Sequence, residues 1–395
     1  MLIPPLYRRG IILGMIIAVG AFAVDMYIPS FAAIARDLHT GPGNVQLTMT
    51  AYFLAVAAGQ IIYGPISDAV GRRRPLFAGL ALFAAGSIWA ALAPSIGMLM
   101  AARACQGLGA AATAVVPMAS ISDEHTGPDA ARLLSIAILA LSISPILAPT
   151  LGGVLAQFAS WRLIFGVLTV IALLAALLTA RLLPETLPCE RRVRTGPLRM
   201  FATYGRLIAD RRFIVPLVTA GCAQSVLLVF ISGSPFVFVT LHGLKPMVYG
   251  AIFAMHAAAL IGISQFNAPM MRIFGTRRLV FINALILCAA SLILVALVAL
   301  VAHGPLPLVL FVALTITMFT CLGMILAPAF LTAMEPFTAT AGSAAALGVA
   351  LELCISSAAT LLLGFTANGT AMPMAAVMAL AGCGTLMGAV TMGRK

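Results

Sequence analysis

The chain has 395 residues, 62% of them hydrophobic and only 9% charged, against about 25% charged in a soluble domain. That balance excludes a soluble protein. A formal net charge of +12, confined to short segments between apolar runs and without interleaved aromatics, excludes a nucleic-acid-binding face. Seven cysteines, six of them inside apolar runs, show no CxxC and no ligand spacing with histidine, so small packing residues are expected rather than a metal site.

Taken in order, Arg8-Arg9, an apolar run and Ala21-Phe22-Ala23 imitate a cleavable signal peptide. The run continues to Phe31, so an uncleaved first helix is expected. Hydrophobic periodicity predicts twelve transmembrane helices, over 11–31, 45–67, 76–94, 97–120, 132–157, 161–183, 213–241, 247–270, 279–300, 306–333, 338–364 and 371–392. Most are long enough to cross about 30 Å of hydrocarbon at 1.5 Å per residue. With the N-terminus inside, nineteen of the twenty-three basic residues fall in inner loops and tails, including Arg72 to Arg74, Arg132, Arg194, Arg394 and Lys395. The positive-inside rule therefore places both termini in the cytoplasm.

The only long polar stretch, 184–212, divides the chain into six-helix groups at 1–183 and 213–395. Its part with Leu198, Met200, Phe201, Tyr204, Leu207 and Ile208 at helical spacing fits either a surface helix or an irregular linker. Six helices, a basic connector and six more is the pattern of two parallel repeats. Met271-Arg-Ile-Phe-Gly-Thr-Arg-Arg278 echoes Asp68-Ala-Val-Gly-Arg-Arg-Arg74 with one extra residue and no acid.

Charges inside hydrocarbon cost from about 2.5 to over 10 kcal/mol, so each needs a reason. Asp25, Glu352 and Arg103 are the ones well inside spans. Asp25 lies six residues from Phe31 and Arg103 six from Gly97, which puts both about 9 Å from the outer surface. Their functional reading is a carboxylate that takes up and releases a proton as its hydration and its distance from the arginine change. The competing reading is an ion pair or hydrogen-bond set that only fixes packing. Glu352 reads equally as a packed carboxyl or as a second protonation or substrate site, and His256 as a polar packing residue. Span five carries Pro145, Pro149, Gly152 and Gly153, a kinked helix open to close approach. Span seven holds Pro216, Gly233 and Pro235 and is expected to flex near its outer end. There is no nucleotide loop, HExxH, GxSxG or dinucleotide fingerprint, so no enzyme and no cofactor is expected, and uphill transport would draw on an ion gradient.

Together these motifs resemble the major facilitator superfamily. Gly64-x3-Asp68-x2-Gly71-Arg72-Arg73 resembles its loop motif between spans two and three. Leu99-x3-Arg103-x2-Gln106-Gly107-x-Gly109 and the Pro145/Pro149/Gly152/Gly153 set resemble the motifs of its drug:proton antiporters. Asp25-Met-Tyr-Ile-Pro29 and Trp161-Arg162-x2-Phe165 resemble the Bcr/CflA subfamily of bicyclomycin and chloramphenicol/florfenicol exporters. The resemblance is thinner in the second half, where Ala341-Gly342-Ser343-Ala344 is the best match.

That likeness implies an all-α polytopic fold, two six-helix bundles working by alternating access. It implies that Asp25 and Arg103 belong to the proton and drug site, and that Asp68, Arg72 and Asp123 latch the cytoplasmic side. Ala69 departs from the basic residue often found there, which weakens the expected latch. Glu352 departs from an uncharged position. The expectation is a monomeric exporter of the bacterial inner membrane, exchanging protons for a small amphipathic drug of amphenicol or bicyclomycin type. Gln106 and Tyr27, with Gln224, Phe230, Phe236, Gln265 and Asn267, are expected at the substrate cavity. A metabolite exporter is the alternative, and a sensor or scaffold the remote one.

Overall fold

The computed structural model describes residues 5–124, 133, 136–137, 144–158, 160–192, 197–301 and 306–393. The first helices are α1 (Pro5–Asp25), α2 (Phe31–Asp37), α3 (Pro42–Val70), α4 (Arg73–Ala91) and α5 (Ile96–Glu124). Then come α6 (Ser144–Phe158), α7 (Trp161–Leu182), α8 (Pro197–Ala209), α9 (Arg211–Pro235) and α10 (Pro246–Ser264). The chain ends with α11 (Asn267–Phe274), α12 (Thr276–Leu300), α13 (Leu308–Met334), α14 (Ala341–Thr366) and α15 (Met372–Gly393). Eleven helices among the described residues are long and apolar enough to cross a membrane. Of predicted span five, α6 and residues 133, 136 and 137 are described. Most of 132–143 lies outside the described residues, as do Arg132, Arg194, Arg394 and Lys395.

Two spans differ from expectation. The first does not end at Phe31: the helix breaks after Asp25, turns through Ile28–Ser30 and continues as α2, giving an apolar segment from Arg8 to Asp37. Asp25 thus lies twelve residues before the end of that segment rather than six. The eighth span stops at Ser264, and the rest of 247–270 belongs to a turn and to α11. Beyond Pro235, which has no backbone donor, the seventh span changes to π-helical winding over Phe236–Leu241.

The chain divides into two compact units, Met1–Ala33 with Ala51–Met200, and Ile34–Thr50 with Phe201–Lys395. The segment Ile34–Thr50 therefore groups with the second unit, although it lies among the first six predicted spans. In the first unit α5 packs on α4 and α1, and α7 on α4. Lipid supplies no hydrophobic drive between helices, so small residues that allow close approach decide which faces meet. A Cβ at Gly79 would stand 2.2 Å from the Ala112 methyl, and one at Gly109 would stand 2.4 Å from the Phe83 amide nitrogen. In the second unit α9 packs on α13, α14 and α15, and α12 on α13 and α15. There the opening turns of α3 lie on α14, with Thr50 Oγ1 donating to Thr360 Oγ1 at 2.9 Å.

Candidate functional site

The break in span one builds the site. Pro29 has no N–H, so the Asp25 carbonyl four residues earlier loses its helical donor. The chain tightens instead, with Tyr27 N donating to Val24 O and Ser30 N to Tyr27 O. This turn leaves Asp25 and Tyr27 almost completely buried. Helix α6 lies flush against it: a Cβ at Gly152 would be 2.1 Å from the Met26 carbonyl oxygen. The same helix supplies Ser144, whose Oγ donates to Asp25 Oδ2 at 3.0 Å. Pro149 and Gly153 are buried on α6, and Pro145 follows Ser144 along it.

Arg103, on α5, is fully buried. Its Nη1 donates to the Ala23 carbonyl at 3.1 Å and to Gln106 Oε1, and Gln106 Nε2 donates to Ser87 Oγ at 2.7 Å. The guanidinium also stands 4.6 Å from the Tyr27 ring centre and 4.3 Å from that of Tyr52. Desolvated cation–aromatic contacts of this kind contribute about 2 kcal/mol. A planar fork with faces and edges fits such a shell, and a lysine would not. Tyr52 OH donates to Gly20 O at 2.9 Å, so the ring is held between α1 and α5. The cation is thus fixed two residues along α1 from a carboxylate with a single hydroxyl donor.

Two of the expected cavity residues, Tyr27 and Gln106, therefore form the shell of Arg103 rather than an open cavity wall. Tyr52, Ser87 and Ser144 escape sequence reasoning: neutral hydroxyls and one more tyrosine carry no signal among hundreds of apolar neighbours.

A second polar cluster sits at the arginine-rich end of the first unit. Gly71 (φ 94°) ends α3 and turns the chain into α4. Arg72, 7% exposed, donates through Nε and Nη2 to both Asp123 oxygens at 2.7 and 3.0 Å, and through Nη1 to Asp68 Oδ1 at 2.6 Å. The three residues expected at the latch are thus joined within one unit. Gly64 contributes its carbonyl, which accepts from Ser67 Oγ, and Ser67 Oγ in turn accepts from Arg72.

Glu185, not foreseen, caps the turn by accepting from the amides of Arg72 (2.7 Å), Arg73 (3.2 Å) and Leu187 (3.2 Å). Burial pushes its carboxyl up, but these amides and nearby Arg192 outweigh that and hold it below the usual carboxylate range. The available hint was an acid just past a helix end in a loop dominated by arginines.

In the second unit, Phe230 is fully buried, its ring 4.5 Å from that of His256 and 4.8 Å from that of Phe319. His256 Nε2 bonds Thr315 Oγ1 at 2.8 Å. Phe230 is therefore core, not cavity wall, and the packing reading of His256 fits. Phe236 is half-buried in the π-helical turn, Gln224 is half-buried on α9, and Gln265 is exposed at the end of α10. Asn267 Nδ2 donates to Gly323 O at 2.9 Å. Glu352 keeps one carboxyl oxygen buried without a hydrogen-bond partner.

The sequence profile described as Major Facilitator Superfamily matches residues 13–352. An uncharacterized MFS-type transporter, YdgK of Bacillus subtilis, is 37% identical over 369 residues, 93% of this chain and 90% of that one. A bicyclomycin resistance protein homolog of Haemophilus influenzae is 29% identical over 67% of this chain and 66% of its own length. Multidrug resistance protein D of Escherichia coli is 34% identical over 51% and 50%. Among solved structures, a D-xylose-proton symporter superposes with a TM-score of 0.73 at 16% identity, covering 98% of both chains; at that identity the likeness is one of fold. The chain belongs to the Major Facilitator Superfamily, as a multi-pass membrane transporter and not an enzyme.

Proposed function

We propose that this transporter is a drug exporter of Bcr/CflA type, exchanging protons for small amphipathic compounds of amphenicol or bicyclomycin kind. The observation that carries this reading is the buried pair of sites around the break in span one. Asp25 holds a single hydroxyl donor there, two residues from the carbonyl that anchors Arg103. A carboxylate so placed changes charge when it takes a proton, and the fixed guanidinium makes that change matter to the helices around it. Alternating access would expose Asp25 to each side in turn, so that proton entry and drug exit exclude each other. The similarity to relatives named for bicyclomycin and multidrug resistance supports the substrate class.

In this reading the protein is a monomer of the bacterial inner membrane with both termini cytoplasmic. The Arg72 cluster closes and opens its cytoplasmic side, and Glu352 is a second protonation or substrate site. Expression in a strain lacking its own efflux pumps, grown against a compound panel, tests the function. The wild type is expected to raise tolerance to at least one amphenicol or bicyclomycin-like compound, with Asp25→Asn giving none. Tolerance raised equally by Asp25→Asn would remove the carboxylate from the mechanism.

A further inference from the structure

The second unit contains a cavity of about 680 Å³ where the opening turns of α9 and α12 meet the closing turns of α13 and α15. Arg211, Arg212 and Arg277 line it, with Glu335 as its acid. A further cavity of about 460 Å³ shares Arg277 and Glu335 and adds Arg278. Arg212 is held by Asp210 at 2.8 Å. Arg211, Arg277 and Arg278 are exposed, and no ion pair among the described residues neutralises them. The volume lies within the roughly 300–1,000 Å³ of small-molecule sites. None of these residues belongs to the Asp25–Arg103 site or the Arg72 cluster.

Depth decides what such a cavity meets. Arg211 opens the apolar segment Arg211–Leu241, Arg277 is the second residue of Thr276–Leu300, and Met392, also on the wall, nearly ends Met372–Gly393. The arginines therefore lie where hydrocarbon gives way to lipid headgroups. Helix α8, leading into Arg211, is amphipathic: Tyr204 and Leu207 are buried while Arg206 is exposed. Below the cavity, α12 and α15 pack side by side and expose Phe281, Leu285 and Met387. A phosphate surrounded by arginines, with an acyl chain continuing down an apolar face, fits all of this. A free phosphate would make no use of the Val215 and Met392 wall.

We propose that this cavity is a binding site for the phosphate of an anionic phospholipid, of the phosphatidylglycerol class. Basic pockets between transmembrane helices at the headgroup level are suited to such lipids, since each arginine adds roughly fivefold to their retention. Glu335 opposes the anion and sets an upper limit on affinity.

Native mass spectrometry of the purified full-length protein tests this. The probes are palmitoyl-oleoyl-phosphatidylglycerol, the phosphatidylcholine with the same chains, and inorganic phosphate. Phosphatidylglycerol is expected to be retained at least about fivefold over phosphatidylcholine. Arg211→Gln with Arg277→Gln should lower that retention about tenfold or more, leaving phosphatidylcholine unchanged. Glu335→Gln should raise it, which keeps the test decisive if the double variant does not fold. Millimolar phosphate should not displace the lipid. Equal retention of the two lipids, no response to the arginine changes, no rise in Glu335→Gln, or displacement by phosphate would each overturn the proposal.

Discussion

The turn at Gly71 and the turn at Gly275 begin alike and end differently. Each uses a glycine at positive φ, 94° and 75°, to enter the next helix, and each faces an acid at the end of the helix after that, Asp123 or Glu335. In the first unit the arginine is buried and bidentate to its acid at 2.7 and 3.0 Å. In the second, Arg277 and Glu335 line an open cavity of about 680 Å³. Two sequence differences account for this. Thr276 is inserted between glycine and arginine, which rotates the arginine by about 100° around the helix. Three residues before the glycine stands Arg272 instead of Asp68, a charge of the wrong sign. One pattern thus closes on itself in one unit and stays open to ligands in the other.

The sharpest way to break this comparison is to remove the acids. Asp123→Ala leaves the nearly buried Arg72 with only Asp68 and Ser67, and truncating one partner of such a cluster costs up to about 3 kcal/mol. Glu335→Ala should stay within about 0.5 kcal/mol, as for other exposed positions. Melting temperatures of the two purified variants in one detergent compare them directly. Equal losses would mean that the second turn is as closed as the first.

A smaller contrast separates the glycines. Alanine at either pays for left-handed backbone, about 1–3 kcal/mol. At Gly71 the new Cβ would also lie 2.6 Å from Glu185 Oε2, whereas at Gly275 nothing stands within 4 Å. Gly71→Ala should therefore melt below Gly275→Ala.

The smallest effect is the pH dependence of the Glu185 cap. Its carboxyl is held below the ordinary value of 4.5. Its contribution is then complete above pH 4.5 and disappears as pH falls through the lower folded value. Glu185→Gln should lower the melting temperature near neutral pH and converge with wild type in acid.

Much of the first unit was legible because charge is so rare in this chain. Asp25, Arg103 and the Asp68–Arg72 turn stand out against apolar spans, whereas the break at Pro29 was not foreseen. The extent of span one was misjudged because the helix resumes after its break and runs on to Arg36 and Asp37, charges that read as a loop. The role of Gly152 depends on where the Met26 carbonyl points, which no spacing encodes. The second unit was harder to read. Phe230 looked like a cavity aromatic, but its direction is set by packing against His256 and Phe319. Glu185 was hidden in a loop dominated by arginines.

The central claim, that Asp25 couples proton movement to export, is tested most directly in inverted membrane vesicles holding an imposed proton gradient. Adding a compound to which the wild type confers tolerance should release protons from the lumen, and vesicles carrying Asp25→Asn at equal protein level should release none. Full proton release by Asp25→Asn would contradict the account.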